Sequence, residues 1–149
     1  MRWNELKDQP CSLSRTLAVI GDRWTLMVLR DAFMRIRRFE DFHASLGIAR
    51  RVLTERLSLL VEEGVMEKRA YQERPVRYEY RLTQKGLDLY PALLALLHWG
   101  DVHYGGEKGP PVLRTHAVCG HDFQPVTTCS ECGEAIDPKQ VIPRWNEAY

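Results

Sequence analysis

A mainly α-helical fold with a small β-wing, a winged helix-turn-helix, is what the sequence predicts for the larger part of the chain. Three observations support it: amphipathic helical periodicity through residues 12–63, a tight turn between the last two of these helices, and a change to strand periodicity after Gly64. The chain has 149 residues, 44% of them hydrophobic, which is enough for one domain with its own core and a short appendage.

The four helices follow one another closely. The first is expected from about Ser12 to Ile20, and the second through "RWTLMVLRDAFM". The third, "RRFEDFHASLG", has apolar residues at spacings of three and four and stops at Gly47, which suits the turn that ends many helices. The fourth, residues 49–63, begins so soon afterwards that the pair forms a helix-turn-helix.

The fourth helix is amphipathic, with its leucines on one face and Thr54 at the border of that face. Arg51, Glu55 and Ser58 fall on the opposite face. Its first turn carries Arg50 and Arg51 back to back, with no acidic residue beside them. This end of the helix is therefore expected to face an anion.

A strand pair follows Gly64. The run "VRYEYRL" alternates strictly between apolar and charged residues, which predicts a half-buried strand. Its partner is "VMEKRAY", and "QERP" connects the two, so that residues 66–82 form a wing beside the helix-turn-helix. The alternative is an ordinary helical domain that carries a hairpin.

The charge is distributed unevenly along the chain. The net charge is only +1, but residues 23–85 carry 14 basic and nine acidic side chains, a net charge of +5, whereas residues 86–149 carry four and eight, a net charge of −4. The basic part coincides with the predicted helix-turn-helix and wing. This excess fits a polyanion such as double-stranded DNA, with a merely solvated surface as the alternative.

Helix-turn-helix proteins insert their second helix into the major groove by its N-terminus. Arg51 has the direction for reading a base, Arg50 is expected to hold a phosphate, and Arg56 to pack its stem on the core. In the wing, arginines are candidates for phosphates of the flanking minor groove, although Arg77 has the alternative of pairing across the sheet. The predicted DNA-binding residues are Arg50, Arg51, Thr54, Glu55, Ser58, Arg74 and Arg77.

Several segments of the chain together resemble a known family. "LAVIGDRWTLMVLRDAF", the stretch from "RRFEDFHASLG" to "RLTQKG", and "LLALLHWG" occur in an order and spacing similar to the HxlR-type winged helix-turn-helix regulators of bacteria, relatives of the MarR-like group. The match covers about residues 11 to 104. The resemblance implies a homodimer on a pseudo-palindromic operator, with the first and last long helices at the dimer interface. It also implies repression as the commoner effect.

The helix expected to begin at Thr83 gives physical support for a dimer. It is apolar on more sides than a surface helix needs, so one face is expected to pack on its own domain and another on a partner subunit. Burial of this helix under the C-terminal segment of a monomer is the alternative. Pro91 should kink the helix or mark a restart. An apolar pocket between the dimer helices and the winged domain is a candidate site for a small-molecule effector, with a lining that the sequence does not identify.

Cys11 stands just before the first helix, where HxlR-type proteins often carry a cysteine that some members use as a redox or electrophile switch. Family members usually follow it with proline, whereas this chain has Ser12. A helix N-terminus lowers the pKa of a thiol and raises its reactivity. Sensing is therefore one reading of Cys11, and a small buried hydrophobe is the other.

The C-terminal segment follows a linker, residues 105–111, that is rich in glycine and proline. Residues 112–149 contain two knuckles, each with two metal-ligand residues across a tight turn that ends in glycine. They predict a zinc-ribbon-like extension that holds a structural zinc ion, in addition to the winged domain of residues 1–104. A disulfide is the alternative, and His121 competes for the fourth position. The predicted ligands are His116, Cys119, Cys129 and Cys132.

An enzyme is not expected. The histidine and cysteine spacing lacks the His-x-Glu and Pro-Cys-x-x-Cys of zinc deaminases, and no glycine-rich nucleotide loop is present. The longest apolar stretch falls far short of a membrane span, so a cytoplasmic protein is expected. The function predicted is sequence-specific transcriptional regulation. A sensor in which Cys11 or the C-terminal cysteines gate DNA binding, and a winged helix that binds only protein, are the competing hypotheses.

Overall fold

The computed structural model describes residues 5–147. The ends of the predicted domains, residues 1–4 and 148–149, lie outside the described residues. The four predicted helices are present close to their expected bounds: α1 Ser12–Ile20, α2 Arg23–Phe33, α3 Phe39–Leu46 and α4 Arg50–Glu62.

Local capping explains where these helices begin and end. The Asp22 carboxylate accepts hydrogen bonds from the backbone N–H groups of Trp24 and Thr25, which satisfies two free donors in the first turn of α2. Gly47 adopts a φ of 61°, the left-handed conformation in which glycine avoids a side-chain clash, and so ends α3. The turn between α3 and α4 is therefore as short as the sequence predicts.

One apolar cluster holds α2, α3, α4 and the base of the wing together. Phe42, Leu53, Leu57 and Leu60 are completely buried in it, and Val28 on α2 joins them. Burying side chains of this size contributes about 1.5–3 kcal/mol each. The leucine face of α4 is thus the core of this unit, and the opposite face of the helix is left to solvent.

The wing consists of strands β1, Met66–Glu73, and β2, Val76–Leu82, paired antiparallel from Met66↔Leu82 to Glu73↔Val76 with a bulge at residue 71. β1 begins one residue later and ends two residues later than predicted, so that only residues 74–75 form the turn. The half-buried pattern expected of β2 holds only near its base, because Val76 and Tyr78 at the tip are 55% and 45% exposed. The tip extends beyond the core, where neither side of a two-stranded sheet is covered.

The predicted helix at Thr83 is interrupted. The Thr83 side chain caps a short helix, α5, Gln84–Leu87, by accepting a hydrogen bond from the backbone N–H of Gly86. A new helix, α6, then runs from Tyr90 to Tyr104. Pro91 stands at the second position of α6, where its missing N–H costs nothing, so the restart expected there is confirmed.

Two compact units make up the chain, residues 1–90 and residues 91–149. The sequence assigned α6 to the winged domain of residues 1–104, and that domain boundary stays a prediction. In the second unit, the predicted linker 105–111 leads from α6 to a hairpin of β3, Thr115–His116, and β4, His121–Asp122. A short 3-10 helix, Pro138–Gln140, follows. None of the described helices is long and apolar enough to cross a membrane.

Candidate nucleic-acid interface and cysteine-histidine hairpins

The outward face of α4 is as predicted from the leucine pattern. Arg51, Thr54, Glu55 and Ser58 are all exposed, and Arg51 is 90% exposed. The Arg51 Nε donates to Glu55 Oε1 at 3.0 Å, one helical turn along the same face. Exposed pairs of this kind contribute about 0.3–0.5 kcal/mol, so Arg51 can leave Glu55 at little cost when a stronger acceptor is available.

Arg50 is held by a neighbouring helix. Its guanidinium makes two hydrogen bonds to the Glu40 carboxylate on α3, at 2.8 and 2.6 Å, and lies over the Phe39 ring. The Arg50 side chain lowers the pKa of the Glu40 carboxyl, so the pair is charged at neutral pH. The sequence predicted a phosphate contact for Arg50 and did not foresee this partner, which lies ten residues earlier in the chain.

Arg56 lies between the helices rather than on the outward face, in agreement with its predicted structural role. Its side chain is 26% exposed, and its guanidinium lies 3.8 Å from the Asp22 carboxylate that caps α2. Within the described residues, its buried Nε makes no hydrogen bond. The guanidinium also lies 3.7 Å from the Glu55 carboxylate, so Arg56 connects the start of α2 with the acidic residue of the outward face of α4.

The wing arginines fall into two groups. Arg69 pairs with Glu67 and Arg81 pairs with Glu79, each at 2.6 Å along the same strand. Within residues 5–147, the guanidinium groups of Arg74 and Arg77 make no ion pair, and Arg77 faces Gln72 across the sheet. The cross-strand ion pair considered for Arg77 is thus not found there, and both arginines carry uncompensated charge at the tip.

Two aromatic contacts in the wing were not predicted. The Lys68 ammonium lies 4.5 Å from the centre of the Tyr78 ring, and the Arg38 guanidinium lies 4.4 Å from that of Tyr71. Cation–π contacts of this kind hold a positive charge in a fixed place on the surface. Lys68 and Tyr78 lie on the two paired strands, where the alternation of basic and tyrosine residues could have suggested their contact. Arg38 is the N-cap residue of α3, and no local sequence signal connects it to Tyr71.

Cys11 is the N-cap residue of α1 and is exposed. The Ser14 hydroxyl, followed by the backbone N–H groups of Ser14 and Leu13, lowers the pKa of the Cys11 thiol. The exposure contradicts the alternative that Cys11 is a small buried hydrophobe. It leaves a thiol that reagents in solution can reach.

The predicted metal ligands come together as two pairs. His116 Nδ1 lies 3.4 Å from Cys119 Sγ in the first hairpin, and backbone N–H groups of Cys132 and Glu131 lower the pKa of the Cys129 thiol in the second. All four cysteines of the chain are free thiols, so the disulfide alternative is not what the structure has. Among the described residues, no three His, Cys, Asp or Glu side chains form one group that could hold a metal ion.

The second unit also contains an open cavity of about 780 Å³. It is lined by apolar and aromatic side chains, with Trp99 and Phe123 among them, and by histidines that include His98 and His103. The described lining residues include no Asp, Glu, Lys or Arg. The volume lies within the range found for small-molecule pockets.

A model of the HxlR-like helix-turn-helix family matches residues 19–108, which include α2 to α6 and the wing. The chain belongs to this family. The resemblance inferred from the sequence motifs is thereby confirmed, although the family match itself does not extend to the two C-terminal hairpins.

Similar proteins are transcription regulators. An uncharacterized HTH-type transcriptional regulator of Mycobacterium tuberculosis is 42% identical over 132 residues, which cover 89% of this chain and 84% of that protein. The crystal structure of PA1607, described as a transcription factor, has a TM-score of 0.84 at 33% identity and covers 94% of this chain and 98% of its own. The redox regulator HypR in its oxidized form has a TM-score of 0.58 at 31% identity, covering 62% of this chain and 97% of its own.

These similarities identify the chain as a helix-turn-helix transcriptional regulator and not an enzyme. An alignment of 132 residues is also longer than the family match of residues 19–108, so it takes in part of the chain on at least one side of that region.

Proposed function

We propose that this protein is a sequence-specific transcriptional repressor that acts in the cytoplasm as a homodimer on a pseudo-palindromic operator. Helix α4 lies in the major groove, and the wing contacts the flanking phosphates. The observation that carries the proposal is the outward face of α4, where an arginine at the N-terminal end is followed by short polar side chains, all exposed. This arrangement suits a recognition helix.

Base readout depends on Arg51. A guanidinium can donate two hydrogen bonds to O6 and N7 of guanine, which is worth about 1–3 kcal/mol of discrimination against other bases. To do so, Arg51 leaves the exposed pair with Glu55, which then becomes available to accept from a cytosine amino group. Thr54 and Ser58 extend the same face toward neighbouring bases.

Positioning on the backbone depends on the wing. Arg74 and Arg77 are exposed at its tip and have no ion-pair partner among residues 5–147, so no protein contact has to break when they meet phosphate. Arg50 contributes less, because Glu40 already neutralises it. This ranking of the three arginines refines the interface predicted from sequence.

Exposed apolar residues on two helices support the homodimer. Leu13 on α1 is 65% exposed, and on α6 the exposed fractions of Leu96, Trp99 and Val102 are 55%, 56% and 61%. Apolar surface of this extent on a soluble chain usually marks an interaction site. A second copy is the proposed occupant, since a two-fold dimer matches a palindromic operator.

Selection from random DNA duplexes tests this function. The full chain, which the proposal makes a dimer, is expected to enrich a two-fold-symmetric site with half-sites about one helical turn apart. Arg51→Ala is expected to relax one position in each half-site. The matched control is Arg144→Ala, which removes the same charge from an exposed position in the second unit.

The control separates base reading from general charge. Relaxation of the same position by both variants, or by neither, contradicts the role of Arg51. Enrichment of no sequence at all, by a dimer that is folded by circular dichroism, would contradict sequence-specific DNA binding by α4 and favour the competing hypothesis of a protein partner.

A small-molecule effector is also part of the proposal, with the cavity of the second unit as its site. The described lining residues include no Asp, Glu, Lys or Arg, which favours a ligand without a formal charge and with aromatic surface. Val126→Arg puts a charge in the lining at a residue outside the proposed dimer face, and it is expected to abolish the thermal stabilisation by any neutral aromatic compound that binds. Unchanged stabilisation would place the compound elsewhere.

A second candidate function is a sensor of electrophiles in which Cys11 gates DNA binding. Its exposure and lowered pKa favour this function, and a redox regulator is among the structurally similar proteins. The thiolate would add to the β-carbon of an α,β-unsaturated carbonyl compound: the C–S bond forms as the C=C π bond breaks, and the α-carbon takes a proton from water. The adduct would alter α1 at its first turn. Adduct formation that releases wild-type protein from its operator, but not Cys11→Ser, is expected; equal release of both excludes Cys11.

A further inference from the structure

The two C-terminal knuckles fold as equivalent hairpins. In the first, Thr115 pairs with Asp122; in the second, an antiparallel bridge joins Thr128 to Ala135, so the paired residues are seven apart in both. Counting from these pairs, each member of the first hairpin has a counterpart in the second. The corresponding positions are His116 and Cys129, Cys119 and Cys132, Gly120 and Gly133, and His121 and Glu134.

The turns of the two hairpins close in the same way. The backbone N–H of Gly120 donates to the carbonyl of His116 at 2.7 Å, and that of Gly133 donates to the carbonyl of Cys129 at 2.9 Å. The two glycines have φ angles of +73° and +76°, which side chains other than glycine rarely adopt. Two independent turns therefore present their second and fifth residues in one geometry, that of a metal knuckle.

The distance inside the first hairpin fits two ligands of one metal ion. A Zn–S distance of about 2.3 Å and a Zn–N distance of about 2.0 Å, at the tetrahedral angle, place the two ligand atoms about 3.5 Å apart. His116 Nδ1 and Cys119 Sγ are 3.4 Å apart. The same separation suits a hydrogen bond between the ring nitrogen and the sulfur, so these two atoms can also bind one ion without moving apart.

Apolar packing does not account for the order of this segment. From residue 95 to residue 147 no described residue is buried, and Val118, Val126 and Ile142 are 88%, 71% and 84% exposed. A segment of this size without a core needs another source of folding free energy, and a structural metal ion is a common one. The connection between the hairpins, residues 123–127, is short enough to let the two pairs meet.

We propose that His116, Cys119, Cys129 and Cys132 bind one structural Zn²⁺ ion that joins the two hairpins. In the structure these four ligands form two separate pairs, so Zn²⁺ binding would bring the two hairpins together. The free energy of Zn²⁺ binding then stabilises that closed arrangement. Three sulfurs and one imidazole complete a tetrahedron and leave no position for water. His121 is excluded, because its counterpart in the second hairpin is Glu134, beyond the turn glycine.

Metal analysis of the full-length chain, purified without chelator, tests the site. Wild type is expected to hold about one zinc per chain and, with Co²⁺ in place of zinc, to show thiolate-to-metal charge transfer and the visible bands of a tetrahedral ion. Cys132→Ser and His116→Ala are expected to weaken Zn²⁺ binding by at least tenfold in competition with a chromogenic chelator. His121→Ala is the matched control and should bind as wild type does.

The conservative variant His116→Cys should restore binding, since it makes the two hairpins alike. Loss of zinc from His121→Ala with retention in His116→Ala would overturn the ligand set. Wild-type protein that takes up no Zn²⁺ or Co²⁺ with all of its thiols reduced would overturn the site itself. Because none of these measurements uses DNA, the proposal stands or falls independently of the DNA-binding function.

Discussion

The wing arginines give a prediction whose size follows from counting contacts. Arg77→Gln removes a guanidinium that has no ion-pair partner among residues 5–147 and that the proposed function places against a phosphate. Each phosphate contact lowers the slope of log K against log salt by about 0.9. Arg77→Gln should therefore reduce the magnitude of the salt slope by about 0.9 for one protomer and by about 1.8 for a homodimer.

In measurable terms, each contact makes binding about 3.5-fold weaker between 50 and 200 mM salt. The affinity of a dimeric wild type should then fall about 12-fold more over that range than the affinity of Arg77→Gln. Fluorescence anisotropy with a labelled operator duplex at several salt concentrations measures both slopes. The affinity of the variant at 50 mM should be lower for specific and random duplexes alike.

Arg69→Gln is the matched control in the same hairpin. It removes the same charge, but Arg69 is already paired with Glu67, so its slope should stay close to that of wild type. Equal slopes for wild type and Arg77→Gln, or an equal loss in both variants, would refute the assignment of a phosphate contact to the unpaired arginine.

Three further predictions concern the same chain. Gly86→Ala should lower the free energy of unfolding of the first unit by about 1–3 kcal/mol in chemical denaturation, because the added Cβ would lie 2.2 Å from a backbone carbonyl oxygen. The control Gly100→Ala adds a Cβ with no atom within 4 Å and should not lower the stability of the protein. Glu40→Gln should raise DNA affinity and the salt slope by freeing the first arginine of α4, and lower affinity would contradict the ion pair. Ser14→Ala should raise the pKa of Cys11, leave less thiolate at pH 7 and slow its alkylation by iodoacetamide, and an unchanged rate would contradict the role of the hydroxyl.

Much of the first unit could be predicted because its signals are local. The leucine spacing of α4 fixes which face is buried, and Gly47 fixes where α3 ends, so the outward position of Arg51 follows from the sequence alone. Strand alternation located the wing but overstated its burial, since alternation does not tell how far a hairpin extends past the core, as Val76 shows.

What the sequence could not supply were partners brought together by the fold. Arg50 on α4 pairs with Glu40 on α3, and the two side chains meet only because of the way in which the two helices pack. In the second unit, the spacing of the histidines and cysteines predicts a metal site and favours His116 over His121. The structure adds the register of the hairpin, in which His116 and His121 face each other, and the ligand set stays a prediction.

The most direct test of the central claim is methylation interference on the selected operator. Methylation at N7 of guanine blocks an acceptor in the major groove that a bidentate arginine uses. Binding of wild type should be prevented by methylation of one guanine in each half-site, and Arg51→Ala should lose that sensitivity while keeping its other contacts. An identical interference pattern for both proteins, or no interference in the major groove, would contradict base reading by the outward face of α4.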